Sequence, residues 1–223
     1  MDWSKLNFTT HSTVRTLKEF LESIGEHTEA ELRLGNSEFS LNKGSCFNPK
    51  LDAAQYKQLY NRLKLYKDWE TSSYHKRLVD YFYLYNGKPL RTTVTTEGNQ
   101  LKIVHQEKTQ GSHLLIPLKN LEIRISLKDE LVVTDVPKYT DTTCVRIKDR
   151  HSFVKHNWCY DFTVVRQAET EALAEQAEPF YEIEIECLSP KSIVQTHDHE
   201  YLAVDFLMKI HSLFPREQIL LSS

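Results

Sequence analysis

The most constraining feature of the chain is a strict alternation of acidic and apolar residues at positions 181–187, which read Tyr-Glu-Ile-Glu-Ile-Glu-Cys. A β-strand sends successive side chains to opposite faces of its sheet. The three acids, Glu182, Glu184 and Glu186, therefore share one face of a predicted strand, and the two isoleucines share the other. In an isolated strand of this kind the acids simply face water. The pattern therefore indicates a functional site only in combination with the other predicted strands.

A second strand with the same alternation is predicted near the other end of the chain. Residues 29–34 place Glu29, Glu31 and Arg33 on one face and alanine or leucine on the other. Further segments are rich in β-branched and aromatic residues, and turns such as Asn86-Gly87 separate them. The predicted strands are 29–34, 74–85, 90–96, 100–108, 121–133, 143–150, 157–166 and 180–188.

Each predicted strand has one apolar and one polar face, as in ordinary antiparallel sheets, but the charges are also segregated by strand. Acids dominate the first and last strands, whereas segment 143–150 carries Arg146, Lys148 and Arg150 on one face. Helices predicted at 12–24, 52–67 and 199–213 need an apolar surface to cover. Two arrangements remain open. A closed barrel with outer helices points the charges inward, and a sandwich buries the isoleucines between two sheets.

Composition narrows the functional classes. The 223 residues are 40% hydrophobic and 26% charged, with a net charge of −3, as expected for a globular protein without a broad basic field for long nucleic acids. An anion bound by its end inside a cavity remains compatible with this charge. The sequence has no glycine-rich phosphate-loop motif. We predict one domain, 1–223, in which the acidic segment 167–178 is an exposed loop or a short surface helix.

Other sequence features favour structural over functional interpretations. The four cysteines lack metal-type or disulfide-type spacing, which predicts reduced thiols in an intracellular protein. The N-terminal residues lack a basic start followed by an apolar run, and no apolar stretch is long enough to span a bilayer, so we expect neither a signal peptide nor a membrane span. His197 and His199 resemble a metal-binding pair, but the intervening Asp198 suits a helix cap. Trp158 is predicted to pack in the core.

A tunnel with acidic and basic walls has a specific chemical use. Facing carboxylates without a counter-charge are costly in a low dielectric, and a divalent cation removes that cost. Carboxylate oxygens suit Mg²⁺ or Mn²⁺, whereas a wall of lysine and arginine requires anions. A polyphosphate that bridges metal and bases satisfies both walls, which is the arrangement that phosphoryl transfer requires.

Four segments resemble the yeast-type mRNA capping RNA 5′-triphosphatases, a branch of the triphosphate tunnel metalloenzymes found in fungi, protozoa and large DNA viruses. They are 29–35, 122–130, 146–150 followed by 158–163, and 182–186, and they occur in the family's order. The resemblance implies an α+β, mainly β fold: a closed eight-stranded antiparallel β-barrel with helices packed outside. It also implies hydrolysis of the γ-phosphate of 5′-triphosphate RNA in the first step of mRNA capping, and hydrolysis of nucleoside triphosphates in manganese.

The resemblance further implies a role for individual tunnel residues. The metal, Mn²⁺ or Mg²⁺, is expected at Glu29, Glu31 and Glu186. The catalytic set is Glu130, Lys148, Arg150, Asp161 and Glu184, and Glu130 is expected to orient the attacking water or accept its proton. The expected phosphate-binding set is Arg91, Lys108, Arg124, Arg146, Lys148 and Arg150. For Arg124, a structural role beside the tunnel acids remains an alternative.

Departures from the family pattern qualify the resemblance. Arg33 stands where the wider superfamily has lysine, which argues against a thiamine triphosphatase or a class IV cyclase, and Cys159 replaces a basic residue of some relatives. No Lys-x-Asp-Gly motif occurs, so we expect an mRNA guanylyltransferase on another chain or domain. The other expected partners are nascent RNA, nucleoside triphosphates and a second copy of the chain, in the nucleus or a viral factory. A tunnel tripolyphosphatase and a non-catalytic polyphosphate-binding barrel remain as alternatives.

Overall fold

Antiparallel strands dominate the structure, a computed structural model that describes residues 11–40, 44–97, 100–109, 111–118, 121–134 and 142–214. Most of these strands begin and end within a few residues of the bounds predicted from the alternation. The strands are β1 Thr28–Ser40, β2 Gly44–Asn48, β3 Thr71–Tyr85, β4 Lys88–Glu97, β5 Gln100–Lys108, β6 Ser112–Pro117, β7 Glu122–Val132, β8 Thr142–Lys155, β9 Trp158–Ala168 and β10 Phe180–Cys187.

The helices begin at identifiable caps. Asp52 caps α2 by accepting hydrogen bonds from the backbone N–H groups of Ala54 and Gln55, and Asp198 caps α5 by accepting from the N–H of Tyr201 at 2.7 Å, as predicted. Within the described ranges, no helix combines the length and hydropathy of a membrane span. The helices are α1 His11–Leu21, α2 Ala53–Lys64, α3 Glu171–Gln176, α4 Pro190–Thr196 and α5 His199–Leu213.

Pairing between β1 and β7 closes the sheet into a barrel. Around the barrel the strands follow the order β1, β10, β9, β8, β3, β4, β5 and β7, and β7 then pairs with β1 from Thr28↔Asp129 to Gly35↔Glu122. The predicted eight-stranded antiparallel barrel is confirmed. The sequence did not predict β2 and β6, which extend the barrel from β1 and β7, or α4, because segments this short carry little periodicity.

The apolar strand faces point out of the barrel and pack under helices. Ile183 and Ile185 are buried in a cluster that includes Leu17 of α1 and Phe206 of α5. Trp158 belongs to the same cluster, and its Nε1–H donates to Asp205 Oδ2 at 2.7 Å. Burial of each large apolar side chain contributes about 1.5–3 kcal/mol. The sandwich alternative, with the isoleucines between two sheets, is therefore wrong.

The acidic segment 167–178 does not form the exposed loop that was one of the two forms predicted from the sequence. It contains the short helix α3, capped by Thr170, with Ala174 fully buried. Arg77, in β3, forms an ion pair with Glu171 at 2.6 Å and another with Glu175. The alternative of a short surface helix is confirmed, and its acids face a cation that lies far away in the sequence.

Candidate active site

The polar strand faces enclose a cavity of about 370 Å³ inside the barrel. Register brings the two acidic strands together, because Glu31 of β1 lies directly opposite Glu186 of β10, and Arg33 lies opposite Glu184. The cavity also receives bases from β4 and β8. Its charged lining residues are Glu29, Glu31, Arg33, Arg91, Lys102, Lys148, Arg150, Glu184 and Glu186. Acidic and basic walls therefore share one lumen.

Glu184 is held between two arginines. Its Oε1 lies 3.0 Å from Arg33 Nη2, and its Oε2 lies 3.4 Å from Arg150 Nη2. Burial alone raises the pKa of Glu184, but Arg33 and Arg150 outweigh that effect and hold the pKa well below its ordinary value. Glu184 is therefore ionised at neutral pH, and it fixes both guanidinium groups at the cavity wall.

Asp161 positions Arg150 from the other side. Asp161 Oδ2 lies 2.7 Å from Arg150 Nη1. Its Oδ1 accepts hydrogen bonds from Ser152 Oγ at 2.6 Å and from Cys159 Sγ at 3.2 Å. Because both carboxylate oxygens are engaged, Asp161 orients the arginine instead of contacting a ligand directly. Cys159 donates its S–H to this carboxylate.

Lys148 depends on a partner that the sequence analysis missed. Its Nζ lies 2.5 Å from Asp80 Oδ2, and Thr93 Oγ1 donates to Asp80 Oδ1 at 2.8 Å. Burial lowers the pKa of Lys148 to about 8, although Asp80 opposes that shift. Asp80 is the only acid in the aromatic segment 79–85, and an acid in such a segment is a sequence signal for a buried, paired carboxylate.

Arg91 and Glu130 meet across β4, β5 and β7. Arg91 Nη2 lies 3.1 Å from Glu130 Oε2, and the Gln106 amide bridges the pair. Gln106 accepts from Arg91 Nη2 at 2.5 Å and donates from Nε2 to Glu130 Oε2 at 2.7 Å. The predicted water-orienting acid thus lies beside a predicted phosphate-binding arginine.

The three predicted metal ligands line one cavity but differ in charge compensation. Glu31 is 2.9 Å from Arg33 Nη2 and 3.0 Å from Lys128 Nζ. Glu186 has no ion pair with any residue of the described ranges, and burial together with Asp161 and other acids raises its pKa to about 7. The described part of the chain contains no preformed group of three acid, histidine or cysteine ligands. The electrostatics at Glu186 would suit a divalent cation, whereas the Glu31 carboxylate already contacts two bases.

Two of the remaining predicted phosphate ligands, Arg124 and Arg146, do not line the described cavity, and the side chain of the third is not described. Arg124 stacks over Phe47 of β2, with 4.6 Å between the guanidinium carbon and the ring centre. Arg146 pairs with Glu182 at 2.6 Å. Neither arginine contributes to the described cavity wall. The side chain of Lys108 lies outside the described residues, although its backbone pairs with Glu130.

Comparisons with known proteins agree with this fold. Residues 14–205 match a family model described as the mRNA capping enzyme, beta chain. The fold is similar to the Schizosaccharomyces pombe Pct1 RNA triphosphatase, with 20% identity, a TM-score of 0.66 and 96% of each chain covered. A second Pct1 structure, in complex with the Spt5 CTD, matches at 21% identity and a TM-score of 0.69, over 96% of this chain and 97% of that one.

A viral protein has a similar fold. The Mimivirus capping enzyme triphosphatase matches at 15% identity and a TM-score of 0.63, over 92% of this chain and 98% of that chain. No curated protein matches the chain by sequence.

Proposed function

Because the chain belongs to the family of the mRNA capping enzyme beta chain, we propose that its barrel binds the 5′-triphosphate end of RNA and hydrolyses the γ-phosphate by a metal-dependent reaction. The chain is an mRNA 5′-triphosphatase, and the product is 5′-diphosphate RNA. The assignment of individual residues to this reaction, the identity of the metal and the use of free nucleotides are the parts that we propose.

A single observation carries the proposal: two glutamate strands and a basic strand face the same lumen. Glu31 and Glu186 lie opposite each other in the β1–β10 ladder. Lys148 and Arg150 of β8 line the same cavity. Hydrolysis of a phosphoanhydride requires cationic groups around non-bridging oxygens and an acid near the attacking water, and this lumen supplies both.

We assign metal binding to Glu29, Glu31 and Glu186, because the three carboxylates line one cavity and the half-buried Glu186 forms no ion pair with any described residue. When bound, Mn²⁺ or Mg²⁺ supplies positive charge to the phosphate oxygens. Manganese is also expected to permit hydrolysis of free nucleoside triphosphates. The structural support for this assignment is the electrostatics of the acids.

We assign phosphate binding, orientation of the attacking water and positioning of the arginines to different side chains. Arg91, Lys148 and Arg150 bind the phosphate oxygens, and each is oriented by an acid that it already contacts. Glu130 lies within hydrogen-bond reach of Arg91, and we assign it the role of orienting a water molecule next to the bound phosphate and accepting its proton. Glu184 keeps Arg33 and Arg150 in place.

Hydrolysis assays separate this function from its alternatives. The full chain is incubated with γ-labelled 5′-triphosphate RNA, ATP or tripolyphosphate, with Mg²⁺, with Mn²⁺ or with chelator. Metal-dependent release of one phosphate from RNA supports the proposal. Turnover of tripolyphosphate or nucleotide without turnover of RNA favours a general tunnel phosphatase. Binding without turnover of any substrate favours a non-catalytic polyphosphate-binding barrel.

The partners follow from the reaction. We propose that residues 1–223 act as one triphosphatase domain. The 5′-diphosphate RNA is then the substrate of a guanylyltransferase on another chain or domain. We expect both reactions in the nucleus or in a viral factory. A peptide like the Spt5 CTD bound by the fission yeast relative is a further candidate. The outer face of β5 supports a second copy as partner, because Leu101 is 64% and Ile103 is 46% exposed.

A further inference from the structure

We propose that the first nucleoside of the RNA lies in a second cavity, the vestibule, at one mouth of the tunnel; this inference rests on the function proposed above. The vestibule has a volume of about 510 Å³, within the roughly 300–1,000 Å³ of small-molecule sites. Its walls are the segments 26–29 and 186–192, together with Gln106, Glu130 and Gln195.

The vestibule is continuous with the tunnel. Glu29, Gln106 and Glu186 line both cavities. Glu29 and Glu186, two of the proposed metal ligands, therefore lie where the two cavities meet. A triphosphate bound in the tunnel can extend past them into the vestibule. A nucleoside attached to the outer phosphate then lies against the vestibule wall.

A phenyl ring narrows the opposite end of the lumen. Strand β1 runs from Glu29 at the vestibule to Gly35 near the other end, a distance of about 20 Å for six residues. A Cβ at Gly35 would lie 2.6 Å from Phe47 Cζ, so the phenyl ring occupies the space that any other residue would fill. Arg124 covers the same ring. The described wall of the tunnel cavity includes neither Phe47 nor Arg124. The triphosphate therefore enters from the vestibule, and the nucleoside remains there.

The vestibule wall carries four acids, Glu26, Glu29, Glu130 and Glu186, and on its α4 side it offers groups that can contact a nucleoside. Leu188 is an apolar side chain that remains 46% exposed, and it offers a surface for a base or ribose. Ser192 and Gln195 project from α4 and can exchange hydrogen bonds with either group. Lys191 forms no ion pair with any residue that the structure describes, unlike Arg91, whose guanidinium is already paired. A free lysine at this point is suited to the next phosphodiester.

Substrate comparison tests the inference. We compare Lys191→Ala and Gln195→Ala with the wild-type chain on a 5′-triphosphate RNA oligonucleotide and on tripolyphosphate, which has no nucleoside. The loss of one contact is expected to raise KM for RNA about tenfold. KM for tripolyphosphate stays at the wild-type value, because that substrate does not reach the vestibule. Exposed residues of α2 provide matched controls: Lys57→Ala and Gln58→Ala should leave both KM values unchanged.

The outcomes are distinguishable. If KM for RNA stays at the wild-type value in both vestibule variants, or rises no more than KM for tripolyphosphate, the vestibule does not bind the nucleoside. A wild-type chain that releases phosphate from neither substrate contradicts the proposed function itself, whatever the vestibule does.

A crosslink provides a second measurement that does not depend on variants. A 5′-triphosphate RNA with a photoreactive base at its first position is irradiated on the full chain, and the attached peptide is identified by mass spectrometry. We expect attachment within segment 187–195. Attachment to His75, Thr95 or Lys102, which line the tunnel cavity on β3, β4 and β5, would overturn the proposal.

Discussion

Lys148 Nζ and Asp80 Oδ2 lie 2.5 Å apart, and only 6% of Lys148 and 1% of Asp80 remain exposed. The two residues belong to β8 and β3, which pair directly, so the ion pair forms part of the barrel wall. Asp80 keeps the ammonium group charged in a place where burial favours the neutral amine. Because Asp80 influences the pKa of Lys148, this pair determines the pH range in which the lysine is charged and can attract phosphate.

We predict that kcat/KM for RNA falls as pH rises through about 8, the lowered pKa of Lys148. The lysine is charged below this pKa and neutral above it, so its attraction for phosphate is present at lower pH and lost at higher pH. The profile of kcat/KM reports the free enzyme. Lys148→Arg keeps its charge throughout this range, and an unchanged alkaline limb in that variant would contradict the assignment.

Asp80→Asn is predicted to move the same alkaline limb to lower pH. Removal of the carboxylate takes away the attraction that favours the charged lysine, so the pKa of Lys148 should fall further below its ordinary value. The measurement is the kcat/KM profile of the variant against the wild-type profile. Thr93→Val removes a hydrogen bond to Asp80 but keeps the charge, so a comparable shift in that variant would argue against the ion pair as the cause.

Glu186→Gln is predicted to raise the metal concentration required for half-maximal activity at least tenfold, because it removes a proposed ligand oxygen with little change in volume. Titration of activity and of Mn²⁺ binding measures the effect. Glu182→Gln is the matched control on the same strand face, since Glu182 pairs with Arg146 and does not line the described cavity wall. Equal metal requirements in the two variants would remove Glu186 from the ligand set.

Glu31→Ala and Glu184→Ala are predicted to abolish turnover, by at least about a hundredfold, while the chain stays folded. Each change frees cations that the carboxylate now orients. Circular dichroism and the melting temperature monitor folding. Glu171→Ala, which removes an acid paired with Arg77 outside the barrel, should retain nearly full activity. Normal turnover in Glu31→Ala or Glu184→Ala would reject the active-site assignment.

Gly35→Ala is predicted to destabilise the fold by about 1–3 kcal/mol, the usual cost of overpacking a filled site. The new Cβ would lie 2.3 Å from the backbone oxygen of Asn48 and 2.6 Å from Phe47 Cζ. Denaturant unfolding measures the loss. Gly25→Ala is a control, since its Cβ would meet Thr28 Oγ1 at an ordinary 3.4 Å. A Gly35→Ala chain as stable as the Gly25→Ala chain would show that Phe47 does not fill this end of the barrel.

Much of the barrel follows from the local pattern of single strands. The alternation at 181–187 separates Glu184 from Ile183 whatever the strand pairs with, because the side-chain period of a strand is two. The apolar faces and the amphipathic helices then favour the closed form. The bounds of β5 agree with the predicted 100–108, and α5 agrees with 199–213.

Other features depend on partners far away in the sequence. Arg124 occupies the polar face of β7, as the alternation predicts, yet it stacks on Phe47 of a strand too short to be recognised. The bulge in β3 between His75 and Leu78 changes the register against β8. A register shift of one residue exchanges the two faces of a strand, and no local periodicity reveals it.

The sequence by itself determined which side chains share a strand face and that acids and bases lie on different strands, since both properties are local. Only the tertiary structure decided which acid faces which base: Asp80 with Lys148, and Glu130 with Arg91. Strand order, register and closure set those pairs, and they result from the joint packing of all eight strands around one lumen. The same packing left Glu186 without an ion pair in the described chain, and this property supports the metal site that we propose.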